Sequence, residues 1–136
     1  MALGHHYQQL NPDKQEIRLL HFGATSTQDD GFTDSRTLCC QTQLCSLLDE
    51  PQPAYDTVSY CWSTYTGRRT IKIDDEVVEI PESAERALRT ILINTKGEAN
   101  VLWIDAICID QGSPVEKSSQ VRIMGTIFSR ARRVHV

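Results

Sequence analysis

VLWIDAICIDQGSPVEKSSQVRIM, residues 101–124, decides how this chain is read. Its first nine residues, VLWIDAICI (101–109), are apolar except for Asp105, the composition of a strand covered on both faces, as in a parallel sheet. The run then turns polar, with Asp110, Gln111, Glu116 and Gln120 close together. Ser113, Pro114 and Glu116 stand at the N-cap, first and third positions of a capping box, which predicts a helix reaching to about Arg130. Val121, Met124, Ile127, Phe128 and Ala131 recur at helical spacing as its expected buried stripe. Arg130, Arg132 and Arg133 follow where cations suit a helix C-terminus, and VHV (134–136) begins another strand.

Upstream, YDTVSYCW (55–62) is aromatic and β-branched and reads as a strand. IKIDDEVVEIP (71–81) holds two short alternating runs around Asp74, Asp75 and Glu76, a small inserted hairpin whose turn lacks glycine. Ala84, Ala87, Leu88, Ile91 and Leu92 form the stripe of an amphipathic helix. IRLLHF (17–22) and TLCCQTQL (37–44), separated by the loop-like GATSTQDDGFTDSR, read as an N-terminal hairpin, and residues 1–16 as a loosely held polar tail. Strands alternate with helices from 55 to 136, so the expected class is α/β, with a mainly parallel sheet flanked by helices and joined by right-handed crossovers. Because the last strand has barely begun at residue 136, the expectation includes a sheet truncated at its C-terminal end.

Composition bounds the function. A chain of 136 residues has room for one domain. Fourteen Lys and Arg against eighteen Asp and Glu give a net charge of −4, which disfavours nucleic acid as a partner. No window matches the ~20 apolar residues of a membrane span and no secretory signal opens the chain, so no membrane role and a cytoplasmic location are expected. Five cysteines without CxxC pairs fit reduced thiols, and no metal site is expected.

Ligands of open parallel sheets sit outside the carboxyl ends of the strands. Those ends are Ser59, Tyr60, Cys61 and Trp62 on one strand and Cys108, Ile109, Asp110 and Gln111 on the next. The sequence has no GxGxxG, GxxxxGK[ST], HExxH or GxSxG motif. Asp105, on the strand face shared with Trp103 and Ile107, must be hydrogen-bonded or paired if ionised; an anchor held by backbone amides, Arg122 or Arg89 competes with a role in the crevice. Glu116 serves equally as a capping-box residue or as a carboxylate at the mouth of the crevice, with Gln120 one turn along on the same face. Tyr60 and Trp62 offer stacking surfaces for a planar ligand, and Cys108 reads as packing.

YDTVSYCWS, LWIDAICIDQ and EKSSQVRIMGTIFSRARRVHV resemble, in order and spacing, the three hallmark blocks of the fungal heterokaryon incompatibility (HET) domain, and IRLLHF resembles its lead-in strand. The resemblance covers residues 17–136, with core blocks at 55–63, 101–111 and 116–136. Ser63 stands where the family carries glycine, and no tryptophan-leucine-glycine ending follows VHV. It implies a part in fungal self/non-self recognition and programmed cell death, through self-association or protein partners and with no required cofactor. The family is distantly similar to TIR domains, which implies a flavodoxin-like sheet and, as an alternative, NAD as a substrate. A carboxylate would then stabilise the ribosyl cation as nicotinamide leaves. In the TIR layout that glutamate follows the strand at which this chain ends, so Glu116 and Asp110 become the candidate catalytic residues, with Ser59, Tyr60, Trp62, Asp105, Gln111 and Gln120 around the ligand. An inactive fragment is the third reading.

Overall fold

A computed structural model describes residues 8–22, 27–28, 37–48, 54–58, 67–95 and 100–135. Its central strand is β1 (Glu16–His21), in which the four residues from Ile17 to Leu20 are all buried. β1 pairs antiparallel with the second half of β3 (Thr37–Ser46), from Glu16 opposite Ser46 to His21 opposite Gln41, forming the expected N-terminal hairpin. The two-residue β2 (Thr27–Gln28) pairs with the start of β3.

Residues 68–81 form the inserted hairpin, β5 (Arg68–Ile73) and β6 (Glu76–Pro81). Both turn residues, Asp74 and Asp75, have positive φ, as a two-residue primed turn requires. Aspartate tolerates that conformation, and Asp74 is also held by β3: Thr42 donates its backbone N–H and its hydroxyl to the Asp74 carboxylate at 2.9 and 2.5 Å. Val78 and Ile80 of β6 are buried, as are Ala84, Leu88 and Ile91 of α1 (Glu82–Asn94), the apolar face expected from its spacing. Glu85 is buried on α1 as well, paired with Arg89 one turn on at 2.6 Å.

Strand order across the sheet is β6-β5-β3-β1-β7-β4-β8, with β2 beside β3. β4 (Asp56–Val58) pairs in parallel with β7 (Val101–Ile104) on one side and β8 (Arg133–His135) on the other. This three-stranded block is the parallel sheet expected from the alternation over 55–136. The whole sheet is nonetheless mixed rather than mainly parallel, because β1 joins β7 antiparallel and brings the N-terminal hairpin into the same sheet. The class is α/β with a mixed sheet flanked by helices.

Three further expectations are corrected. The apolar run 101–109 is not one strand: β7 ends at Ile104, and Asp105–Cys108 form a single helical turn, α2. An apolar run this short suits a buried strand or a buried helical turn, and periodicity cannot separate them. The turn is held by Cys108 Sγ, which accepts the Ile104 N–H at 3.5 Å, and by the Gln111 side-chain amide, which donates to the Asp105 carbonyl at 2.9 Å. Asp105 therefore opens a helical turn instead of sharing a strand face with Trp103 and Ile107.

The long helix is also interrupted. α3 (Pro114–Arg122) and α4 (Met124–Ser129) are separated at Ile123, where φ −102° and ψ 8° change the helical phase just before Gly125. Val121 is consequently exposed, and α3 buries Gln120 in its place, while Ile127 of α4 is buried and Phe128 meets Trp103 edge-on at 5.9 Å. Finally, residues 8–15, read as part of a loose tail, are mostly exposed but ordered and anchored: Leu10 is buried and Pro12–Lys14 form a 3-10 turn capped by Asn11. No helix among the described residues is long and apolar enough to cross a membrane.

Candidate functional site

An arginine inside an apolar strand organises the site. Arg18 of β1 is 2% exposed, and its guanidinium reaches four acceptors on three segments. Nη1 donates to Glu116 Oε2 at 2.6 Å and to the Cys108 carbonyl at 3.0 Å. Nη2 donates to Glu116 Oε1 at 2.7 Å and to the Gln8 carbonyl at 2.5 Å. The pairing with Glu116 is bidentate, the strongest form of an arginine–carboxylate contact. The bond to Cys108 also satisfies a carbonyl at the end of α2, where a helical turn leaves its acceptors open.

Glu116 sits on the first turn of α3, which Ser113 caps by accepting the Glu116 N–H at 3.2 Å with Pro114 at the first position. This is half of the expected capping box. The reciprocal half is diverted: the carboxylate bonds to Arg18 and accepts the Asp110 N–H at 2.5 Å rather than reaching back to Ser113. Asp110 in turn closes its own tight turn, its Oδ1 accepting the Gly112 N–H at 3.0 Å. One turn beyond Glu116, Gln120 is 3% exposed and donates Nε2 to the Glu16 carbonyl at 2.9 Å, docking α3 onto the start of β1.

Beside the clasp lies a cavity of about 430 Å³. Leu10, Pro12 and Val115 supply apolar wall, and Asp110, Ser113, Ser119, Gln120 and the Arg18–Glu116 pair supply polar wall. The structure thus brings together three of the residues singled out in the sequence, Asp110, Glu116 and Gln120. Asp105 and Gln111 meet each other in the turn after β7 and are not among the cavity residues. Ser59, Tyr60 and Trp62 lie outside the described residues, as does Ser63.

Arg18 was missed by reading the sequence, although the signal was present. A cation inside the apolar run IRLLH poses the same question as the acid inside VLWIDAICI. Cys108 is packing, as expected: it is buried, and that burial pushes its thiol up to about 12.

A second polar cluster ties β4 to β8. Asp56 is fully buried, accepts from Arg132 Nε at 3.0 Å and His135 Nε2 at 2.8 Å, and is ion-paired with Arg133 Nε at 3.3 Å. Burial pushes its carboxyl up, but the hydrogen bonds from His135 and Arg132 and the charges of Arg132 and Arg133 outweigh it, so the group sits below the usual carboxylate value. Arg132 and Arg133 therefore serve an aspartate 76 or more residues upstream, not only a helix end as expected. Tyr55 supports the same junction: its hydroxyl donates to the Ile127 carbonyl and its carbonyl accepts the Arg132 N–H, both at 2.7 Å.

Comparison with known proteins supplies the context for these clusters. The family described as "Heterokaryon incompatibility protein (HET)" matches residues 55–136, which include Asp56, its β8 partners and Glu116. The Neurospora crassa protein "Heterokaryon incompatibility protein 6, OR allele" is 34% identical over 138 aligned positions, covering 93% of this chain and 19% of that protein. No solved structure matches the chain.

Proposed function

This chain belongs to the heterokaryon incompatibility family, and we propose that it acts in fungal self/non-self recognition and the cell death that follows by binding protein partners or copies of itself, without turning over a substrate. It spans 19% of the length of the relative it matches, so the reading concerns this module and not a whole protein. We place its action in the cytoplasm and assign it no required cofactor.

The observation that carries this reading is the state of Glu116. A carboxylate that stabilises a ribosyl cation needs its negative charge and at least one oxygen directed at the substrate. Glu116 has one oxygen on Arg18 and the other shared by Arg18 and the Asp110 N–H, at 2.5–2.7 Å. Its charge is neutralised by a guanidinium that is itself buried. Such a carboxylate holds a fold together.

The competing reading is a TIR-like NAD glycohydrolase. The parallel β7-β4-β8 block is compatible with a TIR-like layout, and Asp110, half-buried at the cavity, is the carboxylate that reading would have to use. The experiment is incubation of the folded chain with NAD while nicotinamide is followed. The expected result is no release above the rate without protein. Release that persists in Glu116→Gln and vanishes in Asp110→Asn would replace the binding reading with the enzymatic one.

A further inference from the structure

The cavity beside the clasp has a distinct electrostatic character. Its one cation, Arg18, has both terminal nitrogens engaged by Glu116, Cys108 and Gln8, and the Arg18–Glu116 pair cancels in charge. That leaves the Asp110 carboxylate as the uncompensated charge of the lining. Its Oδ1 accepts the Gly112 N–H, and its other oxygen takes no hydrogen bond among the described residues.

Gln120 adds a second unpartnered acceptor, a buried one. Its Nε2 is fixed on the Glu16 carbonyl, which settles which end of the amide is which. Gln120 lines the cavity, and its Oε1 is buried with no hydrogen-bond partner among the described residues, a costly state for a polar atom in a folded protein. The rest of the lining is uncharged, Gln9, Ser113 and Ser119 beside the apolar Leu10, Pro12 and Val115, and Val115 at 78% exposure is the most exposed large apolar residue described.

From these residues we infer that the cavity is a binding site for an aliphatic cation: a primary ammonium or guanidinium on an apolar stem, its head directed to Asp110 and Gln120 Oε1 and its stem lying along Leu10, Pro12 and Val115. Anions are disfavoured, because Arg18, the one cation among the lining residues, is ion-paired with Glu116 and Asp110 repels them. About 430 Å³ accommodates a ligand of a few carbon atoms or one long side chain. The same chemistry comes from a free amine or from a lysine or arginine side chain of a protein. This site goes beyond the proposed function and does not depend on which partner that function uses.

The test is an amide NMR titration of the folded chain with n-butylammonium, n-butanol and butyrate at matched ionic strength. Saturable shifts at Ser113, Val115 and Gln120 are expected with butylammonium, weaker ones with butanol and none with butyrate. Asp110→Asn should weaken butylammonium by about five-fold or more, the loss expected on removing one charged hydrogen bond. Ser119→Leu, which fills the cavity without altering charge, should abolish binding, and circular dichroism of both variants checks folding. A blocked Gly-Lys-Gly peptide that binds at least as tightly as butylammonium assigns the site to a protein side chain, and one that does not assigns it to a free amine. Equal binding of butyrate, the absence of saturable shifts, or binding unaffected by both variants overturns the inference.

Discussion

Removing the carboxylate of Asp56 should cost more stability than any other single change on β4. The side chain is fully buried, accepts from Arg132 and His135 at 3.0 and 2.8 Å, and is ion-paired with Arg133 at 3.3 Å. Stripping one partner from a buried pair costs about 3–5 kcal/mol when the other is stranded. Here the stranded arginines are 40% and 42% exposed and can turn to water, which lowers the expected cost to about 2–4 kcal/mol. For a domain of this size that is a fall in Tm of roughly 6–15 °C.

The sign of the pH dependence follows from the lowered carboxyl. A depressed folded-state value means that the stabilisation is fully present above the unfolded value, about 4, and is lost as pH falls through the folded value. Thermal unfolding of wild type and Asp56→Asn by circular dichroism from pH 7 to pH 3 should give curves that are separated at pH 7 and converge below about pH 4. A difference under ~0.5 kcal/mol at pH 7, within the range of an ordinary surface substitution, or one independent of pH, would refute the reasoning.

Other expectations are local. Cys108 should resist alkylation at pH 8 in the folded chain and react on unfolding, because burial holds its thiol near 12; mass mapping of iodoacetamide adducts reads this, and rapid labelling of the native protein would contradict it. Gly125→Ala should raise stability by about 0.5–1 kcal/mol, since nothing lies within 4 Å of the added methyl group and alanine is the better helix former; denaturant midpoints decide the sign. Asp75→Gly should also be stabilising, by roughly 0.5 kcal/mol, because Asp75 holds φ 68° in a primed turn that prefers Asp-Gly; a destabilised variant would argue against the hairpin geometry.

Local pattern carried much of this fold. The inserted hairpin, α1 and the Ser113 cap all rest on residues within one or two turns of each other, so periodicity and capping chemistry reveal them. What escaped reading is held by distance. Arg18 and Glu116 are 98 residues apart and Asp56 and His135 are 79 apart, and no spacing rule connects such partners. The break at Ile123 escaped for a different reason: Gly125 and the β-branched Thr126 weaken the helix there, yet the apolar spacing reads straight through. The site was half legible. Asp110, Glu116 and Gln120 were singled out and do meet, but Glu116 looked available because its arginine lies on a strand at the other end of the chain.

The central claim is that Arg18 and Glu116 act as one structural unit, and a double-mutant cycle tests it most directly. Arg18→Met and Glu116→Leu should each cost about 3 kcal/mol or more by leaving a buried charge without its partner, and the double variant should cost clearly less than their sum. A coupling of about 2 kcal/mol or greater, read from urea midpoints, is the result this account predicts. Additive losses, or a Glu116→Leu variant as stable as wild type, would contradict it and return the Glu116 carboxylate to the list of groups available for chemistry.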